Sequence, residues 1–250
     1  MRLLEQQLGF ALFIRQPRGI ELTLKGKELL GTAQSALQDI EQRIVDLRNS
    51  QSRGLTVGVS TYFAARWLSP RLMTFMQTYP DIQLRIQPMI QFSEREMRDI
   101  DLAIRWGKGN WDGGTVNKFM AASAFPVGNE KAAAATTAKG IDYAISEFPL
   151  LRDRDDSNAW SEWLKAAELS PRFREEALVT PDPNVRVQAV IDGQGLALMD
   201  HLVSDELESA QLFRLSDVEL ADYGYFLFRP NSVVVSEAAR FFTDWLQEQT

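Results

Sequence analysis

The chain has 250 residues, 45% of them hydrophobic, 24% charged and 10% aromatic, with no cysteine and a single histidine, His201. That mix fits a folded protein with one large or two medium cores, not a disordered or collagenous chain, and it excludes disulfides, zinc–thiolate sites, iron–sulfur clusters and thiol nucleophiles. The net charge of −7 is uneven: residues 1–27 carry +3, from Arg2, Arg15, Arg18, Lys25 and Lys27 against Glu5 and Glu21, and the remainder carries −10. A basic front on an acidic body points to one local anionic partner.

The opening MRLLEQQLGF carries polar residues too early for a signal-peptide core. No stretch reaches the ~18–20 apolar residues of a membrane helix, so a soluble, cytoplasmic protein is expected. Residues 2–8 read as the end of an amphipathic helix, capped by Gly9 in a left-handed conformation. Ala11–Ile14, the basic turn RQPRG and Ile20–Thr23 then read as two short strands around a turn, the back half of a winged helix. A long helix follows, from an N-cap at Thr23 to about Ser50, a rod of roughly 40 Å. Along it Leu30, Ala33, Leu37, Ile40, Ile44 and Leu47 are spaced 3, 4, 3, 4, 3, the seam of a coiled coil, which predicts dimerisation. Gly26 and Gly31 weaken its front.

Residues 51–54 break the pattern as a linker. Leu55, Val57 and Val59 then alternate as a strand, and a helix carries Trp67, Leu68, Leu72, Phe75, Met76 and Tyr79 on one face. Pro80-Asp81 ends it before a second strand with Ile82, Leu84 and Ile86. This strand–helix–strand unit predicts a parallel sheet with right-handed crossovers. Further on, a short helix ends over Met97–Ile100, and Leu102–Ile104 form a buried strand leading into the turn KGNWDGG. Ala124–Val127 form a strand, residues 130–140 an alanine-rich helix, and Leu150-Leu151 a brief strand before the loop RDRDDSN. Trp160, Trp163, Leu164 and Ala167 define a helix capped by Ser157 or Asn158. Another helix holds Val187, Val190 and Ile191 and stops at Gly193. Leu196–Met199 and Gly224–Phe228 are strands, a helix opens at His201, and a last helix begins near Ser236. The body is therefore α/β with roughly two lobes.

Little supports catalysis. There is no phosphate loop, no G-x-G-x-x-G in strand–helix context and no G-x-S-x-G elbow. His201 reads as an exposed or capping residue, and Asp153, Asp155 and Asp156 as a solvated loop rather than a metal site. No catalytic residue, metal or cofactor is expected. A ligand cleft is expected instead, because open α/β sheets bind ligands outside the carboxyl ends of their strands. Ser60, Thr61 and Tyr62 follow one such strand and suit a small anion with hydroxyls and free N–H groups. Arg105 and Trp106 follow another, and a guanidinium beside an indole holds an anion or a planar group.

These residues carry a resemblance. RLLEQQLGFALFIRQPRGIELTLKGKELL resembles the signature of LysR-type transcriptional regulators: the tail of the recognition helix, the wing and the start of the linker helix. GLTVGVSTYFAARWLSPRL and NVRVQAVIDGQGLALMDHLV resemble two units of that family's effector domain. DLAIRWGKGNW looks like the subfamily that contains the glycine-cleavage and β-lactamase regulators. The resemblance implies a two-lobed, periplasmic-binding-protein-like effector domain preceded by a long linker helix and a partial winged helix. Residues 1–22 would be the partial DNA-binding domain, 23–53 the linker and dimerisation helix, and 54–250 the effector domain. Lobe 1 would cover about 54–126 and 226–250 and lobe 2 about 127–225, with chain crossings near Phe125–Gly128 and Tyr225–Phe228. An anionic or zwitterionic effector would lie between the lobes against Ser60, Thr61, Tyr62, Arg105, Trp106, Phe125, Val187 and Asp200. Arg2, Arg15, Arg18 and Lys25 would meet DNA. The assembly would be a homodimer or homotetramer.

The family's winged helix starts well before Met1, so base-reading positions are missing, and Leu3, Leu4, Leu8, Leu12 and Phe13 lack a core. A chain truncated within the winged helix, with weakened DNA binding, is expected. The alternative is a solute-binding sensor module with no DNA-binding activity of its own. It fits residues 54–250 and leaves the wing and the heptads unexplained. An enzyme on the α/β body is disfavoured by the poverty of nucleophiles and bases.

Overall fold

The computed structural model describes residues 2–16, 19–48, 54–93, 96–97, 99–155, 157–170 and 178–250, without the side chains of residues 2, 15–16, 38–39 and 42–48. The chain divides into two compact units, Met1–Ser52 and Arg53–Thr250.

In the first unit, α1 (Arg2–Leu8) is followed by a hairpin of β1 (Phe13–Gln16) and β2 (Gly19–Leu22), and then by α2 (Leu24–Arg48). Gly9 turns the chain after α1 at φ +74°. Glu5 Oε1 accepts the backbone N–H groups of Leu12 at 2.7 Å and Phe13 at 3.1 Å, tying α1 to the hairpin. Thr23 caps α2 by accepting from Gly26 N–H at 2.9 Å. Its hydroxyl also donates to Ala11 O at 2.9 Å. Leu12 is buried, whereas Leu3, Leu4 and Leu8 are exposed. Leu30, Ala33, Leu37 and Ile40 are exposed along α2, an apolar stripe facing away from this unit's own core. The side chains of Ile44 and Leu47 lie outside the described residues.

The second unit runs β3 (Gly54–Val59), α3 (Thr61–Phe63), a π turn (Ala64–Leu68), α4 (Ser69–Thr78), β4 (Gln83–Pro88), β5 (Leu102–Gly107), β6 (Gly114–Ala121), β7 (Phe125–Gly128), α5 (Glu130–Lys139), α6 (Ile141–Glu147), α7 (Ala159–Ala166), α8 (Pro183–Ile191), β8 (Ala197–Met199), a 3₁₀ turn (His201–Val203), α9 (Ser204–Glu208), β9 (Phe213–Arg214), β10 (Gly224–Pro230) and α10 (Glu237–Glu248). Side-chain N-caps set several starts: Ser60, Asn129, Asp182, Asp200 and Ser236 each accept a backbone N–H of the turn they open.

Two sheets form two lobes. The five-stranded sheet has the order β4-β3-β5-β10-β6, and the three-stranded sheet β8-β7-β9. β3 pairs in parallel with β4 and β5, as the strand–helix–strand pattern predicts. β10 pairs antiparallel with β5 and β6, and the second sheet is wholly antiparallel, so the sheet is mixed rather than parallel throughout. Residues 122–124 and 221–223 connect the lobes. Phe125–Gly128 and Tyr225–Phe228, expected as the crossings, are instead strands on either side of them.

Six local features differ from expectation. The helix after β3 is broken by the π turn, where Ser69 N–H reaches back to Ala64 O. Met97 lies in a turn rather than at the end of a helix. β6 was not anticipated and follows directly on the glycine turn; α6 and β9 were also missed. Asn158 stands at the start of α7 without a side-chain capping bond.

One buried cluster runs from Leu55, Val57, Phe63 and Phe75 through Phe242 and Trp245 to Phe125, Val127 and Met199. A second fills lobe 2 around Trp160, Trp163, Leu196 and Leu198. A buried aromatic removes about 150–250 Å² from water, worth roughly 4–6 kcal/mol at ~25 cal/mol per Å² before entropy is counted. Both indoles in lobe 2 keep hydrogen bonds, Trp160 Nε1 donating to Leu151 O and Trp163 Nε1 to Val218 O, each at 2.9 Å.

Candidate functional site

A chamber of about 340 Å³ opens between the lobes. Lobe 1 contributes Ser60 from the end of β3, Tyr62 from α3, and Arg105 and Trp106 from β5. Lobe 2 contributes Arg186 from α8 and Asp200 from the end of β8, and Tyr225 of β10 closes the chamber beside the crossing. A smaller chamber of about 220 Å³ adjoins it, and Trp106, Trp111, Asp153, Arg154, Arg186 and Leu198 line both.

Asp200 is the electrostatic centre. It is 3% exposed. Its Oδ1 accepts from Tyr62 Oη and Leu202 N–H, both at 2.9 Å, and its Oδ2 accepts from Tyr225 Oη at 2.6 Å. Burial raises its pKa above the ordinary carboxylate range, and the three donors oppose that rise. Burial and the adjacent carboxylate raise both tyrosines as well, so they act as donors.

Arg105 is a half-buried cation on the chamber wall. Its guanidinium carbon lies 4.1 Å from the ring centre of Trp111, 5.0 Å from Phe92 and 5.4 Å from Phe228. Among the described residues it has no carboxylate partner. Burial, with Arg154 nearby, lowers its pKa to about 10, which leaves it charged at neutral pH.

Arg186 is 5% exposed and donates through Nη1 to Thr180 O at 2.8 Å. Burial lowers its pKa, against the pull of Asp153, Tyr62, Asp182 and Asp200.

Side chains also bridge the lobes at the rim. Arg66, on the π turn, pairs with Glu206 and donates to Asn184 Oδ1 at 2.7 Å. Asn184 Nδ2 donates to Thr61 Oγ1 at 2.9 Å. On the other side Lys108 Nζ lies 2.7 Å from Glu162 Oε2 and 3.0 Å from Asp222 Oδ2.

Ser60, Tyr62, Arg105, Trp106 and Asp200 therefore converge on one chamber. Three residues expected there do not line it. Thr61 sits at the rim on Asn184. Phe125 is buried under Arg214, whose guanidinium carbon is 4.5 Å from its ring centre. Val187 packs in the core because it faces the Val190 side of α8. Of the basic residues in the first unit, Lys25 is exposed with Nζ 5.1 Å from the Phe10 ring centre. Arg18 lies outside the described residues, as do the side chains of Arg2 and Arg15. Asp153 lines the chambers, Asp156 lies outside the described residues, and no group of three or more metal-ligating side chains occurs among those described. His201 is exposed at the start of its 3₁₀ turn.

Sequence reasoning missed Arg186. Its signal was present: Arg186, Ala189 and Val190 are spaced 3 and 4 on one face of a helix, which puts a charge where the helix is apolar.

Two α/β lobes joined by paired crossings around a charged cleft define a periplasmic-binding-protein-like effector domain. Residues 48–250 match the family described as "LysR substrate binding domain", and the chain belongs to the LysR family of transcriptional regulators. It is similar to the transcriptional activator AmpR of Providencia stuartii, with 32% identity over 98% of this chain and 83% of that protein. It is also similar to the glycine cleavage system transcriptional activator of Escherichia coli K12, with 27% identity over 97% of this chain and 80% of that one. The crystal structure of the AmpR effector domain of Pseudomonas aeruginosa matches with a TM-score of 0.68 and 28% identity, covering 78% of this chain and 93% of that one. These relatives are regulators, and the chain is a transcription regulator rather than an enzyme. No helix among the described residues is long and apolar enough to cross a membrane.

Proposed function

We propose that residues 54–250 sense a small anionic or zwitterionic effector in the larger chamber, and that its binding changes lobe closure and so DNA binding or activation. The observation that carries this reading is Arg105: a charged guanidinium held by three rings, facing a chamber, with no carboxylate partner among the described residues. A structural arginine is normally paired, and one left for a ligand anion is not. Ser60 and Tyr62 line the same chamber, so a polar group on the same ligand has hydroxyls to meet. The assembly is proposed as a cytoplasmic homodimer or homotetramer, paired through the exposed stripe of α2, with Arg2, Arg15, Arg18 and Lys25 toward DNA.

The test is a thermal-shift screen of amino acids and small carboxylates on the 250-residue chain, repeated on Arg105→Gln. A ligand at about 100 times its Kd adds about 2.7 kcal/mol of stability. The shift is expected in the parent and lost in Arg105→Gln. A shift of equal size in both would overturn the assignment. Binding to a DNA fragment with and without the same ligand then tests the coupling, and a ligand that leaves DNA affinity and activation unchanged would refute it.

A further inference from the structure

Beyond the larger chamber, the cleft continues into the 220 Å³ space between β5 and the start of α7. That space is small for an independent ligand, since sites for drug-sized molecules run to roughly 300–1,000 Å³, yet it is several times the ~30 Å³ share of a water molecule. Lys108, Arg152, Arg154 and Arg186 line it with Asp153 and Glu162, and Asp153 lies 3.9 Å from Arg154. Lys108 already engages Glu162.

Three observations converge on its inner wall. Arg186 is nineteen-twentieths buried, spends one N–H on Thr180 O, and lines both chambers. Arg152 Nε is a buried donor with no partner, and Arg152 lines this chamber and not the larger one. The eight-residue helix α7 starts here, and Asn158 makes no side-chain bond to its first turn, which leaves the N–H groups of that turn and the positive end of the helix facing the space.

We propose that this second chamber is an anion subsite, and that the effector class is a molecule with two anionic groups, one against Arg105 and the other against Arg152 and the start of α7. Arg186 stands between the two. The unmet buried Arg152 Nε costs free energy, and an anionic group here meets it together with the open N–H groups at the start of α7 through charge-assisted hydrogen bonds. The proposal rests on the reading of the larger chamber given above, and adds the second anion and its partners.

Calorimetric titration of the 250-residue chain with two matched series tests it: the dicarboxylates succinate to pimelate and the monocarboxylates butyrate to heptanoate. At least one dicarboxylate is expected to bind about tenfold or more tightly than the monocarboxylate of equal length. Arg152→Gln is expected to remove that preference. Asn158→Asp is expected to remove it too, because the new carboxylate occupies the helix start, while its charge at the positive end of α7 raises the unfolding temperature. Damage to the fold would lower that temperature instead. Equal affinity in the two series, or a preference that survives both substitutions, overturns the second subsite. If Arg105→Gln still abolishes monocarboxylate binding in that case, the reading of the larger chamber stands. Failure of both series to bind overturns the two-anion class, and the amino-acid screen then decides the larger chamber separately.

Discussion

Tyr62 and Asp200 are 138 positions apart in the chain, and the phenol of one donates to the carboxylate of the other across 2.9 Å. The contact joins the first turn after β3 in lobe 1 to the end of β8 in lobe 2. Tyr62→Phe leaves a buried carboxylate oxygen one donor short and is expected to cost about 1–3 kcal/mol. Denaturant unfolding of the two chains measures it; a loss near zero would mean that water or Tyr225 takes over the bond.

The same carboxylate makes stability depend on pH. Burial raises the folded-state pKa of Asp200 above its unfolded value near 3.9, so between the two the folded chain holds more protons. This contribution is present at acid pH and is lost as pH rises from the unfolded value through the raised one. Asp200→Asn removes the titration, so the parent's unfolding free energy should stand highest relative to the variant's near pH 4 and fall relative to it as pH rises through the raised value. A parent–variant difference independent of pH would contradict the direction of the shift.

Gly26 sits in the first turn of α2, where an added Cβ would lie 2.2 Å from the carbonyl oxygen of Leu12. In an open helix Gly→Ala is worth about 1 kcal/mol of stabilisation. Here the obstacle is backbone, which cannot swing aside, so Gly26→Ala is expected to destabilise residues 1–52 by roughly 1–3 kcal/mol. Hydrogen exchange in that unit reads the sign directly, and faster exchange is the expected result.

Lys108 and Glu162 are each about a third exposed, with side-chain exposures of 30% and 37%, and Asp222 more so. Screening therefore limits the pair, and Lys108→Met is expected to change stability by less than about 1 kcal/mol. The residual effect should shrink between low and high salt. A salt-insensitive loss of several kcal/mol would show that packing of the lysine stem dominates.

Leu37 and Ile40 are 60% and 55% exposed on α2. A paired rod needs both covered. The double change Leu37→Asp, Ile40→Asp is expected to weaken self-association at least about tenfold, since each buried aliphatic side chain is worth roughly 1.5–3 kcal/mol. Sedimentation velocity of parent and variant decides it; the same oligomer in both would remove α2 from the interface.

The sequence was informative where a local rule has one structural solution. Alternating Leu55, Val57 and Val59 produce a strand that buries all three, and Ser236 caps α10 as its side-chain chemistry requires. Ser60 is legible as a site residue because it follows β3, and Arg105 because it lies near the end of β5, whereas Asp200 comes from the family resemblance. What failed depends on distant partners. β10 is hydrophobic along its length whichever way it runs, and its antiparallel setting between β5 and β6 is decided by packing across the chain. β6 is half exposed, with Asn117 and Lys118 in its middle, so its alternation is faint. The resemblance puts Val187 in the cleft, but its place on the Val190 face of α8 sends it to the core.

The position of β10 also fixes an order of assembly. It bridges β5 and β6, yet it follows the whole of lobe 2 in the chain. During synthesis the smaller sheet, whose strands lie between Phe125 and Arg214, can form while β5 and β6 still wait with open backbone edges. The larger sheet closes when Gly224–Pro230 leaves the ribosome, and the interval before that is when this chain is most exposed to strand-edge aggregation.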